Sequence, residues 1–524
     1  MNRTGEVFRS GIVLVFVMCA ALSAWAAPAT TATKTTSLPG PATLTQATSE
    51  TILTGATIWL DSDSPYYAAG LRSRDLITKA NDVPIRNDGD FYKVFAATTN
   101  TAQIRVEGTR DGKSFSATVP SYLPADVTVG AYRWDWTRYM KYYARDPRNP
   151  DPQLRKAFDL FDLRSYPQAQ VEFAAANKAG QKDPLTQTKL AWLLLSRRAA
   201  DSKATVEEAG KLLERALNDF DASVGDKETQ AKLEGTYMLY LQAMGSIQQA
   251  GLHGRKAIDL APYVVGNRIN YYQMLTEGKV FDEAALAADS LAADFPRSIY
   301  FQRLKRAANL RLDSMKGVIE ASEALVNMMP EDVPTRLQLL PYLDRIGDNY
   351  NVMMHCEYLL GAKATALTDP QKASINYYQA QVNFRRRSYR AAEGKVREAI
   401  RLRGGGEDYF LLANIMHNRS KWSDAVIAYS EAQKKPWTTQ SRGNWRELRD
   451  KMDQAIDHLW SWQIKKMPAN LQPMIKQRKQ WLEERAVLKH SFVMRNRYGI
   501  RNILIAVGCI LVFSGLAMRF FASD

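Results

Sequence analysis

Apolar residues along this chain recur with two different periods, and the change between them divides it. After Pro152 the period is helical and the pattern repeats. A turn is followed by an aromatic or apolar residue, alanine at +3, a bulky or small residue at +7, alanine at +10 and often proline at +15. Tyr389, Ala392, Val396 and Ala399 show it, as do Trp422, Ala425, Tyr429 and Ala432. Ala250, Ala257 and Pro262 keep the spacing, and so do Ala284, Leu291 and Pro296. The first alanine position falls at 169, 209, 250, 284, 318, 352, 392 and 425, with valine at 318 and 352, so successive steps are 40, 41, 34, 34, 34, 40 and 33 residues. Small residues at such spacing let adjacent helices cross closely, while the aromatic fills the gap between them. Steps of 40 or 41 predict longer turns, for example Arg197 to Ala204, and Pro341 stands where it distorts a helix. The pattern predicts about eight helix pairs over 153–436.

Ahead of the repeats the runs are short and β-like. Gly55 to Leu60 reads as a strand, and Ser64 to Leu71 as one helical turn stopped by Gly70. Arg74 to Ile85 predicts strand, tight turn and strand start. Asp88 to Ala97 predicts a helix with Phe91 and Phe95 on one side. Ile104 to Glu107 and Ser114 to Val119 flank Arg110-Asp111-Gly112-Lys113, a hairpin signal. These elements make a small β-rich domain over 51–123, joined to the repeats by an aromatic-rich connector, 124–152.

Both ends carry membrane signals. Residues 1–27 combine Arg3 and Arg9, an apolar stretch from Gly11 to Leu22 and the small residues of Ala24-Trp25-Ala26, which reads as a secretory signal peptide. Residues 28–50 are rich in Thr, Ala and Pro and read as a flexible linker. Ile503 to Met518 is an uncharged, mostly apolar run between Arg501 and Arg519, which predicts a transmembrane helix over 499–521 with a short tail, 522–524. The two signals disagree on topology. Arg485, Lys489, Arg495, Arg497 and Arg501 precede the span and only Arg519 follows it, which by the positive-inside rule favours a cytoplasmic repeat array. The signal peptide places the array outside the cytoplasm, and long translocated domains follow the charge rule poorly, so export is the expectation.

Charge sharpens this picture. The 524 residues carry a formal +15, from 70 Lys+Arg against 55 Asp+Glu. Arg385 to Arg403 holds eight basic and two acidic residues, and Arg442 to Arg501 fourteen and six, so these two stretches carry +14 of it. Six of the eleven tryptophans lie in or just before the second stretch, which predicts a basic, Trp-rich helical stalk or cap over 437–498. Such a segment beside a span suits lipid headgroups, and the export signal together with the span makes nucleic acid a poor partner. Only Cys356 lies between the two apolar ends, which permits an oxidising compartment. HExxH, GxSxG, phosphate-loop and dinucleotide motifs do not occur, and the five histidines are scattered. The expectation is a protein that is not an enzyme, with no cofactor and no metal.

Ser64-Pro65, Ala69-Gly70-Leu71, Asp75, Ile77, Asn81, Pro84-Ile85 and Arg110 to Lys113 fall in register with the PDZ domains attached to bacterial envelope proteases. The region resembles that family, although Arg74 and Asp82 replace two of its usual glycines. The resemblance implies peptide binding by strand addition. The matching edge is Ala56 to Trp59, with Ala56 and Ile58 facing a groove lined by Phe91 and Phe95. The repeats resemble the tetratricopeptide repeat (TPR), a 34-residue helix–turn–helix. That resemblance implies an α-solenoid binding peptides on the face of its first helices. Its register places Tyr300, Arg303, Arg311, Arg345, Tyr377, Gln381, Phe384, Arg385, Phe410, Asn414 and His417 there, a mixture suiting acidic or aromatic segments. The family's carboxylate clamp is missing, since Tyr377 and Gln381 stand where lysine and asparagine belong.

The fold class expected is therefore mainly α: a TPR-type solenoid, preceded by a small PDZ-like β-rich domain and followed by a transmembrane helix. The expected function is a non-enzymatic, membrane-anchored adaptor of the bacterial envelope, in the periplasm. It would take protein partners on its PDZ-like and TPR surfaces and meet the membrane through 499–521 and the basic stalk. A regulatory or chaperone-like subunit of an envelope protease or polysaccharide machine stays open, as does a cytoplasm-facing tail-anchored scaffold.

Overall fold

The computed structural model describes residues 54–98, 103–145, 151–196, 203–221, 226–437 and 445–487, together with Ile505 and Val507. The expected signal peptide, linker and tail lie outside these residues, as does the expected span apart from Ile505 and Val507. Among the described residues no helix is long and apolar enough to cross a membrane.

The N-terminal module is a sheet built from β1 (Gly55–Trp59), β2 (Leu76–Ala80), β3 (Val83–Pro84), β4 (Gln103–Arg110), β5 (Lys113–Pro120) and β6 (Thr128–Tyr132). The strand order is β5-β4-β2-β1-β6, with β3 paired to β2. Helix α1 (Pro65–Ala68) begins at Ser64, whose hydroxyl accepts from the Tyr66 amide. Helix α2 (Asp88–Ala97) is capped by Asn87 and buries Phe91, Val94 and Phe95 under the sheet. Asp75 is buried and receives both arms of the Arg110 guanidinium at 2.6 and 2.7 Å, which ties the β4–β5 hairpin to β2. Arg74 and Asp82 stand at φ 75° and 64°, in the left-handed region that favours glycine.

From Pro152 sixteen helices pair consecutively: α4 (Pro152–Asp162) with α5 (Tyr166–Lys178), α6 (Pro184–Ser196) with α7 (Lys203–Asp219), α8 (Lys227–Ala243) with α9 (Ile247–Leu260), and α10 (Val265–Glu277) with α11 (Phe281–Asp294). Then come α12 (Ile299–Arg311) with α13 (Met315–Met328), α14 (Val333–Ile346) with α15 (Asn349–Ala362), α16 (Asp369–Arg385) with α17 (Tyr389–Leu402), and α18 (Gly406–Asn418) with α19 (Trp422–Lys434). The alanine positions do the packing work expected of them: Ala169, Ala209, Ala250, Ala392 and Ala425 are fully buried. Two of the long steps combine the expected longer stretches between helices, 220–226 and 363–368, with longer helices, because α8 and α16 are each 17 residues long. The segment 197–202 lies outside the described residues. Helix α14 continues through Pro341.

Four successive pairs of first helices touch, α6–α8, α8–α10, α14–α16 and α16–α18, whereas among the described residues no comparable contact joins successive second helices. First helices therefore line the inside of the curve. Beyond Lys434, α20 (Trp445–Asp457), α21 (Ser461–Lys466) and a helix over 472–487 close the array's end. Leu448, Met452, Ala455, Ile456, Leu459, Met467, Leu471 and Ile475 share one core with α18 and α19. The segment expected as stalk or cap is, over 445–475, a cap.

Candidate functional site: the inner face of the first helices

The connector supplies β6 and then a helix, α3 (Trp134–Tyr142), laid on the inner face of the first pairs. Its apolar side is aromatic: Trp136 and Tyr139 each pack 5.8 Å from the buried Phe158 ring of α4. Its polar side is ionic. Asp135, 6% exposed, binds Lys189 of α6 at 2.5 Å and also Lys232 of α8. Arg138 pairs with Asp226 and, at 3.2 Å, with Glu228, and the Trp134 indole N–H donates to Glu228 at 2.9 Å. Burial alone would raise the Asp135 pKa, but Lys189 and Lys232 hold it well below the usual carboxylate range. The rim of this contact holds two carboxyls with the opposite shift. Burial pushes Asp162 up to about 7 and Asp88 up to about 6.

The sheet module sits on the same side. Tyr92 of α2 packs 5.3 Å from Phe295 and 5.9 Å from Phe301. Leu123 exchanges backbone hydrogen bonds with Arg297 and Ile299 at the α11–α12 turn, and Arg297 donates to the Thr98 carbonyl at 2.8 Å. Arg164, after α4, stacks 3.6 Å over Trp59 and donates to Thr128. The chain's own segments therefore cover the inner face from α4 to the start of α12.

This corrects the first expected binding edge. Ala56 to Trp59 is not an open edge, because β1 pairs with β2 on one side and over its whole length with β6 on the other. Ala56 and Ile58 are fully buried, and Phe91 and Phe95 are core side chains 4.7 Å apart. The strand that fills the edge leads directly into α3, so one continuous segment fills the expected strand-addition edge and covers the first helices α4, α6 and α8.

The remaining first helices, α12, α14, α16 and α18, carry the other expected residues, and the structure divides them. Phe410 and Asn414 are buried: Phe410 lies between Tyr429 and Trp437, and the Tyr429 hydroxyl donates to Asn414 at 2.9 Å. His417 meets the Trp422 ring edge at 5.1 Å. These three join α18 to α19, and Phe410 also belongs to the core shared with the cap. Tyr377 is half-buried and accepts from Gln381 at 2.8 Å, and Phe384 packs on Tyr389. Arg385 is tied to Asp344 at 2.5 Å and Asn349 at 2.8 Å, an α14–α16 clamp. Within the basic stretch it begins, Arg397, Arg401 and Arg403 are likewise ion-paired, with Glu393, Glu398 and Asp408. Tyr300 packs against Phe301, Arg311 lies over Phe281, and Arg345 faces Asp313 at 3.6 Å.

Arg303 is exposed on α12, and its neighbour one turn on, Arg306, is the residue the sequence reading missed. Arg306 reaches α14 through neutral acceptors only, Gln338 Oε1 at 2.8 Å and Thr335 Oγ1 at 3.4 Å. Burial depresses its pKa, nearby Asp332 opposes that shift, and the Arg303 charge adds to it. The i, i+3 spacing of the two arginines was the available signal. The pair can hold an anionic side chain at the point where the self-covered stretch ends.

No family model and no curated protein matches the chain. Solved structures do. The C-terminal part of a TPR repeat-containing protein from Cytophaga hutchinsonii matches at 14% identity and TM-score 0.34, over 48% of this chain and 95% of that one. A tetratricopeptide repeat protein from Parabacteroides merdae matches at 13% and 0.25, over 50% and 98%. YrrB, a TPR protein described as having an unusual peptide-binding site, matches at 13% and 0.27, over 40% and 97%. The fold is a TPR-like α-solenoid with a small N-terminal sheet. That statement rests on the pairing, the alanine contacts and the curvature above, and scores this low carry nothing about ligand or activity.

Proposed function

We propose that the chain is a non-enzymatic, membrane-anchored adaptor of the bacterial envelope. It binds acidic, aromatic peptide segments of partner proteins on the uncovered first helices from α12 onward. The observation that carries this reading is α3 itself. An acidic and aromatic helix already lies on the inner face, with Asp135 between two lysines and Trp136 and Tyr139 on Phe158. Arg303 and Arg306 offer the equivalent cations, with Asp332 near Arg306 but, among the described residues, no carboxylate at ion-pair distance from either. In this reading the sheet is a PDZ-like domain turned to structural use, its addition edge holding β6. Residues 499–521 anchor the protein, with the repeats outside the cytoplasm.

An array of acidic–aromatic 12-residue peptides probed with the full chain tests the groove. Binders are expected, with at least tenfold loss in Arg303→Glu/Arg306→Glu and little in the outer-helix control Arg390→Glu. Equal binding by all three proteins would overturn the site. Protease shaving of spheroplasts tests the topology: degradation of the repeats is expected, and full protection would overturn export.

A further inference from the structure

The closing helices have two sides with different chemistry. Leu459, Ile464, Met467, Leu471 and Ile475 are spent on the core shared with α18 and α19. Away from that core Trp460 is 69% exposed, Trp462 59% and Trp481 41%. Single exposed apolar residues are ordinary, but three indoles within 22 residues are not. Residues 458–482 also contain five Lys and Arg and no Asp or Glu. Arg478 is neutralised by Asp453 and Asp457 of α20. Among the described residues Lys465, Lys466 and Lys476 are exposed and have no carboxylate within ion-pair distance. Cation and indole are interleaved: Lys466 lies 5.3 Å over Trp462, and Arg478 and Arg485 lie 4.4 and 4.9 Å over Trp481.

We propose that this outer side, Trp460, Trp462, Lys465, Lys466 and Trp481, is a docking surface for an anionic lipid bilayer. Indoles with an apolar body and one N–H partition to the headgroup layer, and lysines beside them add attraction to anionic lipid, on the order of fivefold per residue. The occupant follows from charge and from chain length. The surface is net cationic even with the exposed Glu483 and Glu484 beside Trp481, and the apolar run Ile503 to Met518 begins 22 residues after Trp481, so even a fully extended link keeps the surface within about 80 Å of it. The inference rests on the membrane-anchored reading above. It adds that the last repeat is held flat on the bilayer, which fixes the array's orientation rather than leaving it on a free tether.

The experiment is hydrogen–deuterium exchange of the full chain in nanodiscs of phosphatidylcholine, with and without about one third phosphatidylglycerol. Exchange and side-chain labelling over 458–482 are expected to slow several-fold on anionic discs only. Lys465→Glu/Lys466→Glu and Trp460→Ser/Trp462→Ser should each abolish the difference, while exchange in α19 stays constant and reports an intact fold. If the chain enters both discs and the segment behaves identically in them, the docking surface is wrong and the anchor stands. Failure to enter any disc overturns the anchor and this surface with it. Slowing that depends on protein concentration rather than on lipid would identify a self-association face and overturn the proposal.

Discussion

Replacing Asp135 with asparagine keeps the shape of α3 and removes one buried charge. Asp135 is the only carboxylate bound to Lys189 at ion-pair distance among the described residues, whereas Lys232 also has Glu228 at 2.8 Å. The variant therefore strands one lysine that is itself 9% exposed. Breaking a buried pair from one side costs about 3–5 kcal/mol, and the surviving Glu228 contact argues for the lower end, about 3 kcal/mol. Because α3 is joined to the array by these contacts and by the Trp136–Tyr139–Phe158 cluster, the loss should appear as local opening. Amide exchange in 128–143 is expected to accelerate on the order of 100-fold at neutral pH, with the distant helices α16 to α19 unchanged. Adding Lys189→Met to Asp135→Asn removes the stranded charge and should restore most of the protection. Exchange within threefold of the parent in the single variant would refute the argument, as would a double variant no better than the single one.

The same contact should respond to pH through Asp162, whose pKa burial raises to about 7. A raised carboxyl stays protonated in the docked state, so its contribution is full near pH 4 and is lost as pH rises toward 7. Protection of α3 should thus increase from pH 8 to pH 5, and Asp162→Asn, which can still accept from the Arg133 amide, should flatten that dependence. Asp82→Gly should stabilise the β2–β3 turn by about 0.5–1 kcal/mol, read as a raised midpoint for the sheet in denaturant, because φ 64° costs glycine nothing. Gly317→Ala should destabilise the α12–α13 pair by about 1–3 kcal/mol, since its Cβ would fall 2.1 Å from Asn309 Oδ1, an amide already bonded to Asp289 and the Lys305 carbonyl. An unchanged unfolding midpoint would count against that packing.

Much of the solenoid was legible in the chain because a helix pair is a local object. The alanine spacing is set by where two neighbouring helices cross, and both helices lie within about 34 residues. Ala250 and Ala284, read as crossing points, are buried as crossing points. The sheet's turns were equally local: Asn81-Asp82 and Asp111-Gly112 stand at positive φ where the hairpin signals fell. Site residues were harder. Phe410, Asn414 and His417 have the register of a binding face, but α19 engages all three, and Trp437 and Lys451 beyond it also cover Phe410, which register alone does not announce. Arg385 reads as a free cation until Asp344, 41 residues away, is placed beside it.

The sequence alone determined the repeat, its period, the β-rich module and where charge concentrates, because each depends on contacts within one or two elements. What the tertiary structure decided is which surfaces remain available. Strand β6 closes the β1 edge, α3 covers the inner face of α4, α6 and α8 with an Asp135–Lys189–Lys232 ion cluster, and the closing helices over 445–487 cover the last pair while leaving three indoles outward. Each of these joins residues between about 50 and 100 positions apart or packs one element over another. Periodicity reports that a face is apolar or charged, but only the assembled chain determines what covers it.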